Sequence, residues 1–140
     1  MTPFIAKLIE RGCVTTHANC PLGDLITILA ERRIGTVVVV DRDHQVIGIV
    51  SERDIIRHLS TGGTTAGTFT KNIMTNKVIT VENNVTSAQL MKLITEHHIR
   101  HVPITRDGKL VGIVSIGDVV KRLLEKYEQE AELIKQFINS

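Results

Sequence analysis

The stretch GIVSERD at residues 48–54 occurs again as GIVSIGD at residues 112–118, with five of the seven letters unchanged. The two copies are 64 residues apart, counted from residue 48 to residue 112. Each copy joins an apolar run to a Ser-x-x-Asp pattern and an amphipathic stretch, which is typical of a strand that leads into a helix. A repeated junction of this kind indicates that the fold is built from two copies of one unit.

The repeat extends well beyond this junction. Residues 13–40 align with residues 78–105 at an offset of 65, and a shorter loop in the second copy then reduces the offset to 64. Each copy contains a short extended piece, a helix, an apolar strand, a turn, a second apolar strand and a final helix. We therefore predict an α+β fold in which β-α-β-β-α occurs twice, with pseudo-two-fold symmetry and small mixed sheets flanked by helices.

Local signals agree with these elements. Leu25 and Leu29 lie on one face of the first helix of the first copy. Thr86 and Gln89 form a capping-box pattern where the corresponding helix of the second copy begins. Asp107-Gly108 predicts a tight hairpin, because Gly accepts a positive φ without steric cost.

The repeat divides the chain into five parts. We predict an N-terminal segment with a short helix, a first repeat, a linker rich in Gly and Thr, a second repeat and an extension of the last helix, at residues 1–12, 13–60, 61–77, 78–125 and 126–140. A unit of about 50 residues buries too little surface to be comfortably stable alone. The two repeats are therefore expected to pack face to face, with a cleft where they meet.

Composition disfavours several classes of protein. The 140 residues carry 17 basic and 15 acidic side chains without a long basic block, and only 3% of them are aromatic. Nucleic-acid binding needs clustered positive charge and aromatic stacking platforms, so it is not expected. No apolar run approaches the length of a membrane span. Because Lys7, Glu10 and Arg11 interrupt the apolar N-terminal pattern, we also expect no signal peptide and predict a cytoplasmic protein.

The cysteines and histidines give weaker signals. Cys13 and Cys20 do not make a disulfide framework, and we interpret them as free thiols in a reducing cytoplasm, with a redox pair as the alternative. Three histidines lie close together near the predicted end of a helix: His97, His98 and His101. A metal site is one interpretation. We favour solvated histidines and predict no metal, because a helix end near residue 99 disrupts the ligand geometry.

The Ser-x-x-Asp pattern permits two interpretations. In the structural one, Ser51 and Ser115 cap their helices, and Asp54 and Asp118 favour the helix dipole. In the functional one, the helix N-terminus suits a phosphate, the hydroxyl reaches a phosphate oxygen, and the carboxylate accepts both hydroxyls of a ribose. The glycines at positions 48 and 112 would then let a base or sugar approach the backbone closely.

Taken together, these features resemble the CBS domain. The opening strand, the amphipathic helix, RHVPI at residues 100–104 and the repeated GIVS..D resemble a CBS pair, or Bateman module, over residues 12–125. The resemblance implies a stand-alone regulatory module, not an enzyme, that binds an adenosine-containing ligand in the cleft. AMP, ADP or ATP is expected, with NAD or S-adenosylmethionine as alternatives, and no cofactor is expected.

The resemblance also implies roles for individual residues. In the family, the Asp commonly holds the ribose, the Ser contacts the phosphate side, the opening strand contacts the base, and the segment before the proline supplies basic groups. In this sequence the implied ligand contacts are Asp54, Asp118, Ser51, Ser115, Arg53, Arg100, His101, Val14, Ile79 and Thr80. The first copy has Gly35 and Thr36 in place of Arg100 and His101, so the two sites are expected to differ. The phosphate-rich ligand is expected in whichever pocket Arg100 faces.

The last helix continues past the second repeat with an apolar stripe that needs a partner. Its partner is either the pattern at residues 4–9 or the same helix of a second chain, and we favour a homodimer. Since no effector domain is recognised, an unknown regulated protein would read the change. Two alternatives remain: an enzyme, for which no nucleophile-and-base pair is found, and an interaction protein without ligand.

Overall fold

Both repeats adopt the predicted β-α-β-β-α order in the computed structural model, which describes all 140 residues, Met1–Ser140. One helix precedes the first repeat, and one short helix lies between the repeats. The elements in chain order are α1 (Pro3–Arg11), β1 (Thr15–Thr16), α2 (Leu22–Arg32), β2 (Thr36–Val40), β3 (Val46–Ser51), α3 (Glu52–Ser60), α4 (Thr70–Ile73), β4 (Val81–Glu82), α5 (Ser87–His97), β5 (His101–Arg106), β6 (Lys109–Ser115) and α6 (Ile116–Asn139).

Each repeat forms its own three-stranded mixed sheet, ordered β1-β2-β3 or β4-β5-β6. The first pair of strands in each sheet is parallel and the second pair is antiparallel. Val39 lies opposite Gly48, and the equivalent Ile104 lies opposite Gly112. The register shifts immediately after this pair in both sheets. The repeat is therefore preserved down to single positions and includes the irregularity in the hairpin.

The first helix packs on the repeat that is more distant in sequence. Thr2 caps α1 and Pro3 occupies its first turn, both of which favour helix initiation. Ile5 is fully buried and Leu8 is 6% exposed, and both lie in the apolar cluster of the second repeat with Leu90. The N-terminal segment is thus part of the second core.

The predicted linker contains more structure than its composition indicates. Its second half forms α4, where the side chain of Thr70 is buried and donates a hydrogen bond to Cys20 O at 2.9 Å. Thr75 and Ile49 exchange two backbone hydrogen bonds of 2.9 and 3.0 Å, which attach the linker to the edge of β3. The linker therefore packs on the first repeat before the chain enters the second.

The space above the two strand glycines is filled by protein, so the expectation that a ligand approaches them is wrong. At Gly48 an added methyl group would overlap Met74 Sδ and lie 3.0 Å from its Cγ. At Gly112 the nearest atom would be Ile9 Cα of α1, at 3.5 Å. The glycines accommodate the linker and α1, the segments that cover the two sheets.

This difference gives a matched pair of substitutions. Gly48→Ala forces the partly buried Met74 side chain to move against the first core and is expected to destabilise the protein by about 1–3 kcal/mol. Gly112→Ala makes ordinary contacts only and is expected to cost less than about 1 kcal/mol. The measurement is urea unfolding of both variants beside the wild type. Equal losses of stability in the two variants would show that the contact with Met74 does not cause the destabilisation of Gly48→Ala.

The last helix is continuous over 24 residues, as the sequence predicts. Its first turns are packed, with Val119 fully buried. From Leu124 onward its apolar side chains are exposed, for example 56% for Leu124 and 70% for Tyr127. Because α1 packs against β6 and the second core, residues 4–9 do not cover this stripe. None of the helices combines the length and apolar character required to cross a bilayer.

Candidate ligand-binding cleft

A cavity of about 370 Å³ lies where the two repeats meet, a size in the usual range for small-molecule sites. The first repeat contributes the beginnings of β2 and α3, and the second contributes the approach to β4 and the loop between α5 and β5. Six of the ten predicted contact residues line it: Ser51, Arg53, Asp54, Ile79, Arg100 and His101. The other lining residues are Gly35, Thr36, Ile49, Glu52, Thr75, Lys77, Val78, His98 and Ile99.

One carboxylate oxygen of Asp54 accepts the hydrogen bonds of the helix cap, and the other makes only one long contact. Its Oδ2 accepts from Ser51 N at 2.8 Å and from Ser51 Oγ at 3.2 Å, while Asp54 N donates to Ser51 Oγ at 3.4 Å. Its Oδ1 lies 3.7 Å from Nη1 of Arg57, whose side chain is 74% exposed. The predicted helix cap is therefore present, and Oδ1 is still able to accept a hydrogen bond from a ligand hydroxyl.

Three cationic side chains line the cavity together with this carboxylate. Arg53 comes from α3 of the first repeat, Arg100 from the second, and Lys77 from the end of the linker. The sequence left open which pocket Arg100 faces, and the structure places it in the same cavity as Arg53. No sequence pattern indicates Lys77, because only the attachment of the linker to β3 brings it to the cleft. These three cations outnumber the two carboxylates of the cavity, Glu52 and Asp54, and make it suitable for an anion.

The loop that carries Arg100 is positioned by the end of α5. This helix ends at His97, two residues before the end predicted near residue 99. His98 follows in the left-handed conformation, with φ 52°. The turn directs His98, Arg100 and His101 to the cleft. No group of three or more His, Cys, Asp or Glu side chains is arranged to hold a metal.

His101 and Thr36 occupy equivalent positions of the two repeats, and both line the cavity. Thr36 Oγ1 lies 3.4 Å from His101 Nδ1. The pKa of His101 lies below the ordinary value, mainly because the side chain is partly buried. The charge of Arg100 lowers this pKa further, and the charge of Asp118 opposes the shift. The lowered pKa favours the uncharged imidazole, which can offer a hydrogen bond to a ligand.

Asp118 is the repeat equivalent of Asp54, but it lies outside the cavity and has an internal partner. Arg11 Nη1 and Nη2 donate to Asp118 Oδ1 and Oδ2, both at 3.0 Å, and Nη2 also donates to Ile113 O at 3.1 Å. Partial burial opposes ionisation of Asp118, but the bonds from Arg11 and Ser115 hold its pKa below the ordinary value. Both oxygens of Asp118 are thus occupied. Ser115, Val14 and Thr80 likewise do not line the cavity.

The ion pair leads to a pH-dependent prediction. Arg11→Met is expected to cost about 1 kcal/mol of stability, since the pair is bidentate but half-exposed. Because the pKa of folded Asp118 is depressed, this stabilisation is complete above about pH 4 and is lost as the pH falls through the folded value. Urea unfolding between pH 7 and pH 3 measures the difference.

Lys7→Ala is the matched control for this prediction, because Lys7 is exposed on the same helix and makes no ion pair. It is expected to leave stability unchanged at every pH. A cost of Arg11→Met that stays constant from pH 7 to pH 3 would contradict the assigned role of Asp118.

The two cysteines are free. Burial raises the pKa of Cys13 to about 11, while nearby Arg11 lowers it to a lesser extent. The Cys13 thiol is therefore protonated at neutral pH and is a poor nucleophile.

A family model for the CBS domain matches the chain twice, over residues 5–61 and 71–125. Among solved structures, the CBS-domain containing protein of Agrobacterium tumefaciens is 37% identical with a TM-score of 0.74, and the match covers 83% of this chain and 95% of that one. The CBS domain protein of Pyrobaculum aerophilum complexed with AMP is 31% identical with a TM-score of 0.74, covering 81% and 88%.

A mitochondrial CBS domain-containing protein of Arabidopsis thaliana is 33% identical over 120 residues, which are 82% of this chain and 58% of that protein. An uncharacterized protein of Methanopyrus kandleri is 32% identical over 84% of this chain and 61% of its own length. The chain thus spans less than two thirds of each. Inosine-5'-monophosphate dehydrogenase of Halobacterium salinarum is matched over only 23% of its length, and what the two chains share is the CBS domain.

Proposed function

The chain belongs to the CBS domain family, and from this we propose that it is a non-enzymatic regulatory module whose cleft binds one phosphate-bearing adenosine ligand per chain. The observation that carries the proposal is the convergence of Asp54 and Arg100, from different repeats, on one cavity. The similar Pyrobaculum aerophilum protein complexed with AMP supports the same class of ligand.

The charges of the cavity favour AMP, ADP or ATP over S-adenosylmethionine. Arg53, Lys77 and Arg100 match the phosphates, whereas the sulfonium of S-adenosylmethionine is itself cationic. Asp54 Oδ1 accepts hydrogen bonds from the ribose, and the cap of α3 lies beside the phosphate. The paired Arg11 withdraws Asp118 from the same role, so one ligand per chain is proposed.

Signalling follows from the position of the ligand between the repeats. A ligand that contacts both repeats binds most tightly when they hold one relative arrangement, and it shifts the population toward that arrangement. We propose that a homodimer of this chain transmits the shift to a regulated protein. The unpaired cysteines favour a reducing compartment such as the cytoplasm.

The test is a thermal-shift panel of AMP, ADP, ATP, NAD and S-adenosylmethionine, followed by calorimetric titration of any ligand that shifts the melting temperature. A ligand selective for the folded state stabilises it by about 2.7 kcal/mol at 100 times its dissociation constant. We expect stabilisation by at least one phosphate-bearing member and a stoichiometry of one. If no member changes the melting temperature, the interaction module without ligand takes precedence.

A further inference from the structure

The exposed stripe of α6 has the spacing of a coiled coil. Its apolar side chains recur at alternating intervals of four and three residues, at Val120, Leu124, Tyr127, Ala131, Ile134 and Ile138. Ile134 and Ile138 are 61% and 73% exposed, and two shallow grooves follow this face of the helix. Such a sustained interval of 3.5 residues is typical of a helix that packs along its length on another helix.

We propose that α6 pairs with α6 of a second copy as a parallel two-stranded coiled coil. The proposal deepens the homodimer named above by giving its surface and direction, and it does not depend on the ligand. In this register Val120, Tyr127 and Ile134 are the d positions, and Leu124, Ala131 and Ile138 are the a positions.

The charges beside the stripe select the parallel direction. In a parallel pair, Glu130 at position g lies against the partner subunit's Lys135 at position e, and two-fold symmetry makes this contact twice. In an antiparallel pair with the apolar layers matched, Glu130 and Glu128 each meet their own copies, and Lys121 meets the partner's Lys135. Like charges therefore disfavour the antiparallel pair.

The short length of the stripe is offset by its attachment to a folded domain. A free peptide of this length forms a helix poorly, because nucleation is costly. Here α6 is already nucleated, since Ser115 caps it, Asp118 completes the capping box and Val119 is fully buried. The face continues to Ile116, which is 37% exposed at the domain surface, so the second copy has a contiguous surface to pack on.

Two adjacent residues supply a matched test of the surface. Ile134 and Leu133 are 61% and 64% exposed on the same turn, but only Ile134 lies in the stripe. Sedimentation equilibrium of the full chain is expected to give a dimer for the wild type and Leu133→Glu. Ile134→Glu is expected to raise the dimer dissociation constant by about 100-fold. A monomeric wild type, or equal effects of the two variants, would overturn the proposal.

Charge reversal tests the direction. Lys135→Glu and Glu130→Lys each place like charges in contact in a parallel pair, and each is expected to weaken the dimer about three- to tenfold. The double variant is expected to restore it. In an antiparallel pair, Lys135→Glu would instead strengthen the dimer, because the new carboxylate would face the partner's Lys121. A tighter dimer in that variant would therefore overturn the parallel arrangement. Circular dichroism checks that all variants stay folded.

Discussion

Asp54→Ala is expected to weaken binding of the adenosine ligand by about 100-fold or more. In the proposed complex, Oδ1 of Asp54, the oxygen not used by the helix cap, accepts hydrogen bonds from the ribose. Each charge-assisted bond of this kind contributes about 1.5–3 kcal/mol. Removing the carboxylate therefore costs at least 3 kcal/mol if both hydroxyls are held, which corresponds to about two orders of magnitude in the dissociation constant. Isothermal titration with the ligand that gives the largest thermal shift measures the loss.

Asp118→Ala is the matched control, since Asp118 forms the same capping box one repeat further along. Both variants lose a capping-box bond worth about 1 kcal/mol. Asp118→Ala also loses the ion pair with Arg11, so its melting temperature should fall further than that of Asp54→Ala. Only Asp54→Ala should lose binding, because Asp118 lies outside the cavity and is paired with Arg11. Equal affinity of Asp54→Ala and the wild type would show that the ribose assignment is wrong.

Ile5→Ala is expected to destabilise the protein by about 2–5 kcal/mol, the usual cost of truncating a buried isoleucine. Ile5 is fully buried in the core of the second repeat, although it belongs to a helix that precedes the first. Ile56→Ala, at a helical isoleucine that is 64% exposed, is the control and should cost less than about 0.5 kcal/mol. Urea unfolding of both variants measures the difference.

A small cost for Ile5→Ala, comparable with that of Ile56→Ala, would mean that α1 is only loosely attached to the second repeat. In that case the Arg11–Asp118 pair would not persist in solution, and Asp118 would be free to bind a second ligand. The experiment therefore also bears on the proposed stoichiometry of one.

The features that depend on local sequence could be predicted. The repeat, the strand and helix order, the Thr86 cap and the Asp107-Gly108 turn are each set by residues close together in the chain. Both interpretations of the Ser51–Asp54 pattern also turned out to be compatible, since capping uses one carboxylate oxygen of Asp54 and leaves the other. A helix cap and a ligand contact are therefore not exclusive at this junction.

The features that depend on contacts distant in sequence could not be predicted. Nothing local indicates that α1 packs on the second repeat, and only that packing brings Arg11 to Asp118, 107 positions away. The same reason applies to Lys77, which reaches the cleft because Thr75 pairs with β3. The surroundings of Gly48 could not be predicted either, because the neighbouring sequence does not indicate that Met74 fills the space above it. The two repeats are therefore alike in backbone and different in the surroundings of their carboxylates.

The most direct test of the central claim is a crystal structure of the full chain with the ligand selected by the thermal-shift panel. We expect one molecule per chain in the cavity between the repeats, with its ribose within hydrogen-bond distance of Asp54 and its phosphates facing Arg53, Lys77 and Arg100. A ligand bound at Asp118 with Arg11 displaced, while the cavity beside Asp54 is empty, would contradict it.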